Sequence, residues 1–214
     1  MNLNQYRLKD TTLYLVTNAD KFNSEDEFLD AAASALKGGV DIIQLCGKNA
    51  SAKKCISLGK KIRELCSIYN AIFIVNDRID IAKIVNADGV HLGQEDVDIK
   101  SAREILGSSA IVGISTHSPE EALKAQKDGA DYIWTGTVFP TKKIAGASSV
   151  GLDYVKWAEK NMLIPFFAIG GIDEHNCNEV ILSGAKRIAV EEAIINSVSP
   201  EKAAKLFKQK LSNE

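Results

Sequence analysis

Two apolar runs in this chain end in side chains able to hold a cation. "IVND" closes on Asn76 and Asp77, and "GVHLGQED" closes on Gln94, Glu95 and Asp96. Carboxylates and amides are hard oxygen donors, and Mg²⁺ is commonly held by one or two carboxylates together with substrate phosphates. Asp77 and Asp96 are therefore a candidate metal pair if the fold brings the two run ends together. The structural alternative is that each simply caps the helix that follows, since Asp is favoured there as an acceptor for backbone N–H groups.

A second group could hold phosphate. "AIGGI", from Ala168 to Ile172, ends a run in two glycines, and "RIAVE" leads into Glu191 and Glu192. Between Gly136 and Gly146, "GTVFPTKKIAG" offers the Thr141 hydroxyl and the Lys142 and Lys143 cations as a grip for a diphosphate. Against this, glycine pairs also make plain tight turns, and surface lysines usually do no more than stay solvated. Ser115, at the end of "IVGIS", is a further small donor or a turn residue.

The elements that must position these groups are legible as eight short runs: "LYLVT" from Leu13, "DIIQL" from Asp41, "AIFIVN" from Ala71, "GVHLG" from Gly89, "IVGIS" from Ile111, "YIWTG" from Tyr132, "FFAIGG" from Phe166 and "RIAVE" from Arg187. Most are continuously apolar, as strands covered on both faces are. Helical segments separate them. Ser24 with Glu27 reads as a capping box stopped at Gly38-Gly39; Ser118-Pro119 with Glu121, and Ser199-Pro200, open helices in the same way. Eight alternating strands and helices predict an α/β fold, a (β/α)8 TIM barrel, in preference to an open doubly wound sheet of five or six strands. In such a barrel the site forms where the loops after the strands converge, so Asp77 and Asp96 follow neighbouring strands three and four, and the glycine pair and the glutamates follow strands seven and eight.

With 214 residues, 45% hydrophobic and 25% charged, the chain is expected to form one domain over residues 1–214. A formal net charge of -2 and the lack of a basic run exclude a nucleic-acid-binding face. The opening "MNLNQYRLKD" lacks a signal-peptide core and no window is apolar enough for a membrane span, so a cytoplasmic protein without membrane contact is expected. Cys46, Cys55, Cys66 and Cys177 form no C-x-x-C pair and read as buried thiols; His91, His117 and His175 are too dispersed for a metal triad.

Taken together, "YLVTN", "IQLCGK", "VNDR", "DGVHLGQED", "VGISTHS", "GADYIWTGTVFPT" and "AIGGI", in this order along nearly the whole chain, resemble the thiamine-phosphate synthase family. The resemblance implies a Mg²⁺-dependent transferase that acts on two small molecules, a hydroxymethylpyrimidine diphosphate and a thiazole phosphate, to give thiamine phosphate and diphosphate; a homo-oligomer is compatible with it. Asp77 and Asp96 match the family's metal ligands. Gln44, Lys48, Asn76 and Ser115 match positions that hold the pyrimidine diphosphate, Thr141 a thiazole-phosphate contact, and Gly171 a phosphate-binding backbone amide. Lys142, Lys143 and Ser115 are the catalytic candidates, and Cys46, Glu191 and Glu192 join the binding candidates by position.

Three departures from the family pattern stand out. Cys46-Gly47 replaces Arg-Glu or Arg-Asp beside the diphosphate, and "TKK" replaces a Thr, any residue, Thr or Ser, Lys sequence. Glu191-Glu192 stands where an apolar residue and a serine are usual. Two carboxylates beside a phosphate repel it by about 1 kcal/mol per close pair in water. Either both turn aside, toward Lys186 or Arg187, or the second substrate differs. The departures keep two alternatives open: a non-catalytic phosphate-ligand-binding paralogue, and a thiazole tautomerase, which carries a histidine at the position of Thr137.

Overall fold

The computed structural model describes residues 3–47, 50–141 and 149–212. Its strands are β1 (Leu13–Asn18), β2 (Ile42–Cys46), β3 (Ile72–Asn76), β4 (Gly89–Leu92), β5 (Ile111–Thr116), β6 (Tyr132–Gly136), β7 (Phe166–Ile169) and β8 (Ile188–Val190). All pair in parallel in sequence order, and β8 returns to β1 to close the barrel. The helices are α1 (Leu3–Lys9), α2 (Glu25–Lys37), α3 (Ala52–Tyr69), α4 (Ile79–Ile84), α5 (Ile99–Leu106), α6 (Pro119–Lys127), α7 (Gly151–Asn161), α8 (Cys177–Leu182), α9 (Glu192–Ile195) and α10 (Pro200–Ser212). Every run read as a strand is one, and the closed order excludes the open sheet. None of the helices is long and apolar enough to cross a membrane among the described residues.

Local sequence sets the helix starts. Ser24 accepts the Glu27 N–H at 3.1 Å to open α2, and Ser118 accepts that of Glu121 at 3.2 Å to open α6, with Pro119 at its first position. The strands bury both faces. Outward residues such as Leu15, Ile43, Phe73 and Val112 pack under the helices; inward residues such as Tyr14, Ile42, Ile74, Tyr132, Trp134 and Phe167 fill the lumen. Leu8 of α1, an element without a signal in the periodicity, joins the lumen cluster.

At the N-terminal ends of the strands, three aspartates repeat one arrangement. Asp41, just before β2, accepts the Thr12 and Leu13 N–H groups at 2.8 and 2.9 Å and meets Lys208 at 2.7 Å. Asp88, before β4, accepts the Phe73 N–H at 2.7 Å and pairs with Arg63 at 2.8 Å. Asp131, before β6, accepts the Val112 N–H at 2.8 Å and pairs with Arg103 at 2.9 Å. Each carboxylate ties the start of one strand to that of its neighbour and has its charge matched by a helix cation, the condition under which a shielded charge stabilises a fold.

Candidate active site

At the opposite end, β3 and β4 lie side by side with Asn76 opposite His91. Asp77 follows directly and has φ 58°, a left-handed conformation uncommon outside glycine. Its N–H bonds to the His91 carbonyl at 2.9 Å, which fixes the turn against the next strand. Asp96 lies exposed at the close of the 93–96 turn and accepts the Gly93 N–H at 2.6 Å. Neither residue caps a helix. Asp98 does so for α5, accepting the Ser101 N–H at 2.9 Å, and α4 begins after Arg78 without a side-chain cap.

The two carboxylates thus follow neighbouring strands without the capping role open to them in sequence. Among the described residues no three His, Cys, Asp or Glu side chains gather around one point. A cation between Asp77 and Asp96 would need oxygens from a substrate, and that donor set, hard and incomplete, fits Mg²⁺.

A hydrogen-bonded polar chain crosses the lumen beside them. Gln44 Nε2 donates to Asn76 Oδ1 at 2.8 Å and to Cys46 Sγ at 3.2 Å; Tyr14 donates to Gln44 Oε1 at 2.6 Å. The Tyr14 and Tyr132 hydroxyls are 2.9 Å apart, Tyr132 lies 3.1 Å from His91 Nδ1, and His91 Nε2 lies 2.9 Å from Ser115 Oγ. The His91 ring stacks on Trp134 at 3.7 Å between centroids. Burial pushes the imidazole down to about 3, so it is neutral, and raises both phenols far above their usual range. Gln94, on the rim, donates to the Ser115 carbonyl at 2.6 Å.

Four of the sequence candidates, Gln44, Cys46, Asn76 and Ser115, therefore belong to one network. The residues that link them, Tyr14, His91 and Tyr132, escaped sequence reasoning. Their signal was a polar atom at an inward position of an otherwise apolar strand, and reading the histidines only as metal ligands passed over it. Cys46 corrects a second expectation, because its thiol is half-exposed while Cys55, Cys66 and Cys177 are buried. Gly47 is explained by packing: a Cβ there would stand 2.5 Å from Cys55 Sγ, so the acid usual at this position has no room.

The phosphate-side candidates line a separate cavity of about 640 Å³ bounded by Pro140, Thr141, Gly170, Gly171, Glu191 and Glu192 among others. The segment after β6 runs along the end of β7, with the Val138 and Phe139 N–H groups on the Ile169 and Gly170 carbonyls at 2.8 and 3.0 Å. Both glycines have positive φ, and a Cβ on Gly171 would meet Phe139 Cβ at 2.8 Å. The pair is thus a backbone necessity that also keeps the cavity floor bare. Lys48, Lys142 and Lys143 lie outside the described residues.

Glu191 and Glu192 turn to neither Lys186 nor Arg187. Among the described residues the cation is Lys21, in the 3₁₀ turn Ala19–Lys21 after β1, 3.5 Å from Glu191 and 2.5 Å from Glu192. Arg187 instead donates to the Lys9 carbonyl at 2.9 Å, at the other end of the barrel. Sequence distance hid the true partner, which closure of β8 onto β1 makes a neighbour.

A closed parallel barrel with a polar lumen, two carboxylates on adjacent strand ends and a cavity over β7 and β8 defines a (β/α)8 protein whose candidate site lies at the C-terminal strand ends. A family model described as thiamine monophosphate synthase matches residues 13–194, and the chain belongs to that family. It is 45% identical over 188 residues to a thiamine-phosphate synthase of Nostoc punctiforme, covering 88% of this chain and 52% of the relative. To that of Thermus thermophilus it is 41% identical over 200 residues, covering 93% and 96%. A solved structure named thiamine phosphate pyrophosphorylase from Pyrococcus furiosus matches with a TM-score of 0.86 and 38% identity, covering 98% of each chain. The chain spans about half the length of several curated relatives it matches, 52% and 59% for the first two.

Proposed function

We propose that this chain couples hydroxymethylpyrimidine diphosphate to thiazole phosphate, giving thiamine phosphate and diphosphate. The observation that carries the reading is one barrel face bearing both an acidic pair with amide and hydroxyl neighbours at the ends of β2 to β5 and a bare-floored cavity at the ends of β7 and β8. The relatives named thiamine-phosphate synthases support it.

The carbon–oxygen bond between the pyrimidine methylene and the diphosphate breaks, the bonding electrons leave with the diphosphate, and the thiazole nitrogen supplies the pair for the new carbon–nitrogen bond. Gln44, Asn76 and Ser115 orient the pyrimidine, and the Gly170-Gly171 turn seats the thiazole phosphate so that its nitrogen approaches the carbon in line. Asp77 and Asp96 would hold Mg²⁺, which would neutralise charge on the diphosphate most strongly as it departs. The Lys142 and Lys143 cations are the candidates to offset charge on the same oxygens, and Trp134 and Ile169 form an apolar wall that limits water near the electron-poor carbon.

The test is an assay of purified protein with Mg²⁺ and both heterocyclic phosphates, read by formation of thiamine phosphate. Product that depends on both substrates supports the reading. No product, with the pyrimidine diphosphate still bound in calorimetry, points instead to a non-catalytic phosphate-ligand binder, the alternative that Cys46-Gly47 and Glu191-Glu192 keep in view.

A further inference from the structure

We propose that Tyr14, Tyr132 and His91 form a one-way hydrogen-bond chain that fixes the polarity of the ligand-facing groups at its ends, making Ser115 Oγ an acceptor and the Asn76 amide a donor. The direction follows from the protons. Gln44 Oε1 can only accept, so the Tyr14 hydroxyl donates to it. With its single proton committed, Tyr14 must accept from Tyr132 across their 2.9 Å contact. Tyr132 in turn has no proton left for the imidazole, so His91 Nδ1 carries the hydrogen and donates at 3.1 Å. A neutral imidazole then has a bare Nε2, and the hydrogen in the 2.9 Å contact comes from Ser115.

The consequence lies at both ends. Ser115 spends its proton inward, so its outward lone pairs can receive an N–H from a ligand but it has nothing to offer a phosphate oxygen. Asn76, whose Oδ1 is taken by Gln44 at 2.8 Å, presents its NH₂ group to ligand acceptors. Resting on the proposed function for the ligand's identity, this assigns Ser115 to the amino group of the pyrimidine and removes it from the diphosphate. His91 is then a positioning residue: it touches no reacting atom and acts through the serine. The reverse chain would need both amides turned over, Gln44 donating to Tyr14 and accepting from Asn76, and would put the imidazole hydrogen on Nε2.

The tautomer is measurable without any ligand. Two- and three-bond ¹⁵N–¹H correlation spectra of the histidine-labelled protein should show His91 neutral with the hydrogen on Nδ1 at pH 7; a hydrogen on Nε2, or an imidazolium, overturns the chain. Tyr132→Phe removes the acceptor of Nδ1–H and should give a tautomer mixture and an about tenfold weaker Kd for the pyrimidine diphosphate. Tyr154→Phe, which removes a buried hydroxyl bonded instead to Thr116 and Ser118, should change neither. An analogue lacking the amino group should bind wild-type protein more weakly than the parent diphosphate but bind Ser115→Ala no worse than that parent; equal losses in both proteins overturn the assignment of Ser115. If wild-type protein binds no pyrimidine diphosphate the functional reading fails and takes the ligand assignment with it, while the tautomer still decides the chain.

Discussion

The two ends of the barrel place the same side chain in opposite settings. At the N-terminal end, Asp41, Asp88 and Asp131 each accept backbone N–H groups of the preceding strand and meet a Lys or Arg from a helix, so their charge is matched inside the fold. At the C-terminal end, Asp77 and Asp96 follow neighbouring strands: one is held by its backbone in a left-handed turn, the other is solvent-exposed. The difference teaches that in this fold a carboxylate's setting follows from which end of a strand it occupies, because one end is closed by packing and the loops converge at the other.

Substitutions at the two ends should therefore separate activity from stability. Asp77→Asn, which tolerates the left-handed backbone, and Asp96→Ala should each lower kcat/KM by about a thousandfold or more while leaving the urea midpoint unchanged. Full activity in either variant would remove that residue from the proposed metal pair. Asp131→Ala, which leaves Arg103 uncompensated and a strand N–H unpaired, should cost about 3 kcal/mol in urea unfolding with kcat/KM held within about twofold; a stable but inactive variant would break the comparison.

Within the C-terminal end the contrast can be narrowed to two positions in the loop between β4 and α5. Asp98→Ala removes the α5 cap and should cost about 1 kcal/mol with activity intact, the reverse of Asp96→Ala two residues earlier. The smallest effect is expected from Lys21→Ala. Loss of a cation that faces Glu191 and Glu192 should raise KM for the thiazole phosphate about threefold and leave that for the pyrimidine diphosphate alone, and adding Glu191→Gln and Glu192→Gln should restore it. An equal rise for both substrates would place Lys21 in folding and not at the cavity.

The strand runs and helix caps were legible because they depend on near neighbours: apolar continuity over five residues, or a serine three residues ahead of a glutamate. Asp77, Asp96 and the glycine pair were legible as candidates because strand order implies which ends adjoin. His91, Tyr14 and Tyr132 were not, since a polar atom in an apolar run has meaning only once its partners are known, and these stand 118 residues apart in the case of Tyr14 and Tyr132. The partner of Glu192 lay 171 residues away, and the nearer cations in sequence were the natural but mistaken choice.

The sequence by itself determined the eight alternating units, the helix starts and the positions of two acidic groups after consecutive strands, all consequences of local sterics, hydrogen bonding and the spacing of apolar residues. Only closure of the barrel decided that side chains of all six strands from β1 to β6 meet in one polar chain, that Lys21 and not Arg187 answers the glutamates, and that Asp41, Asp88 and Asp131 are structural. The physical reason is that these contacts join residues whose separation along the chain carries no energetic signal until the lumen has formed and water has left it.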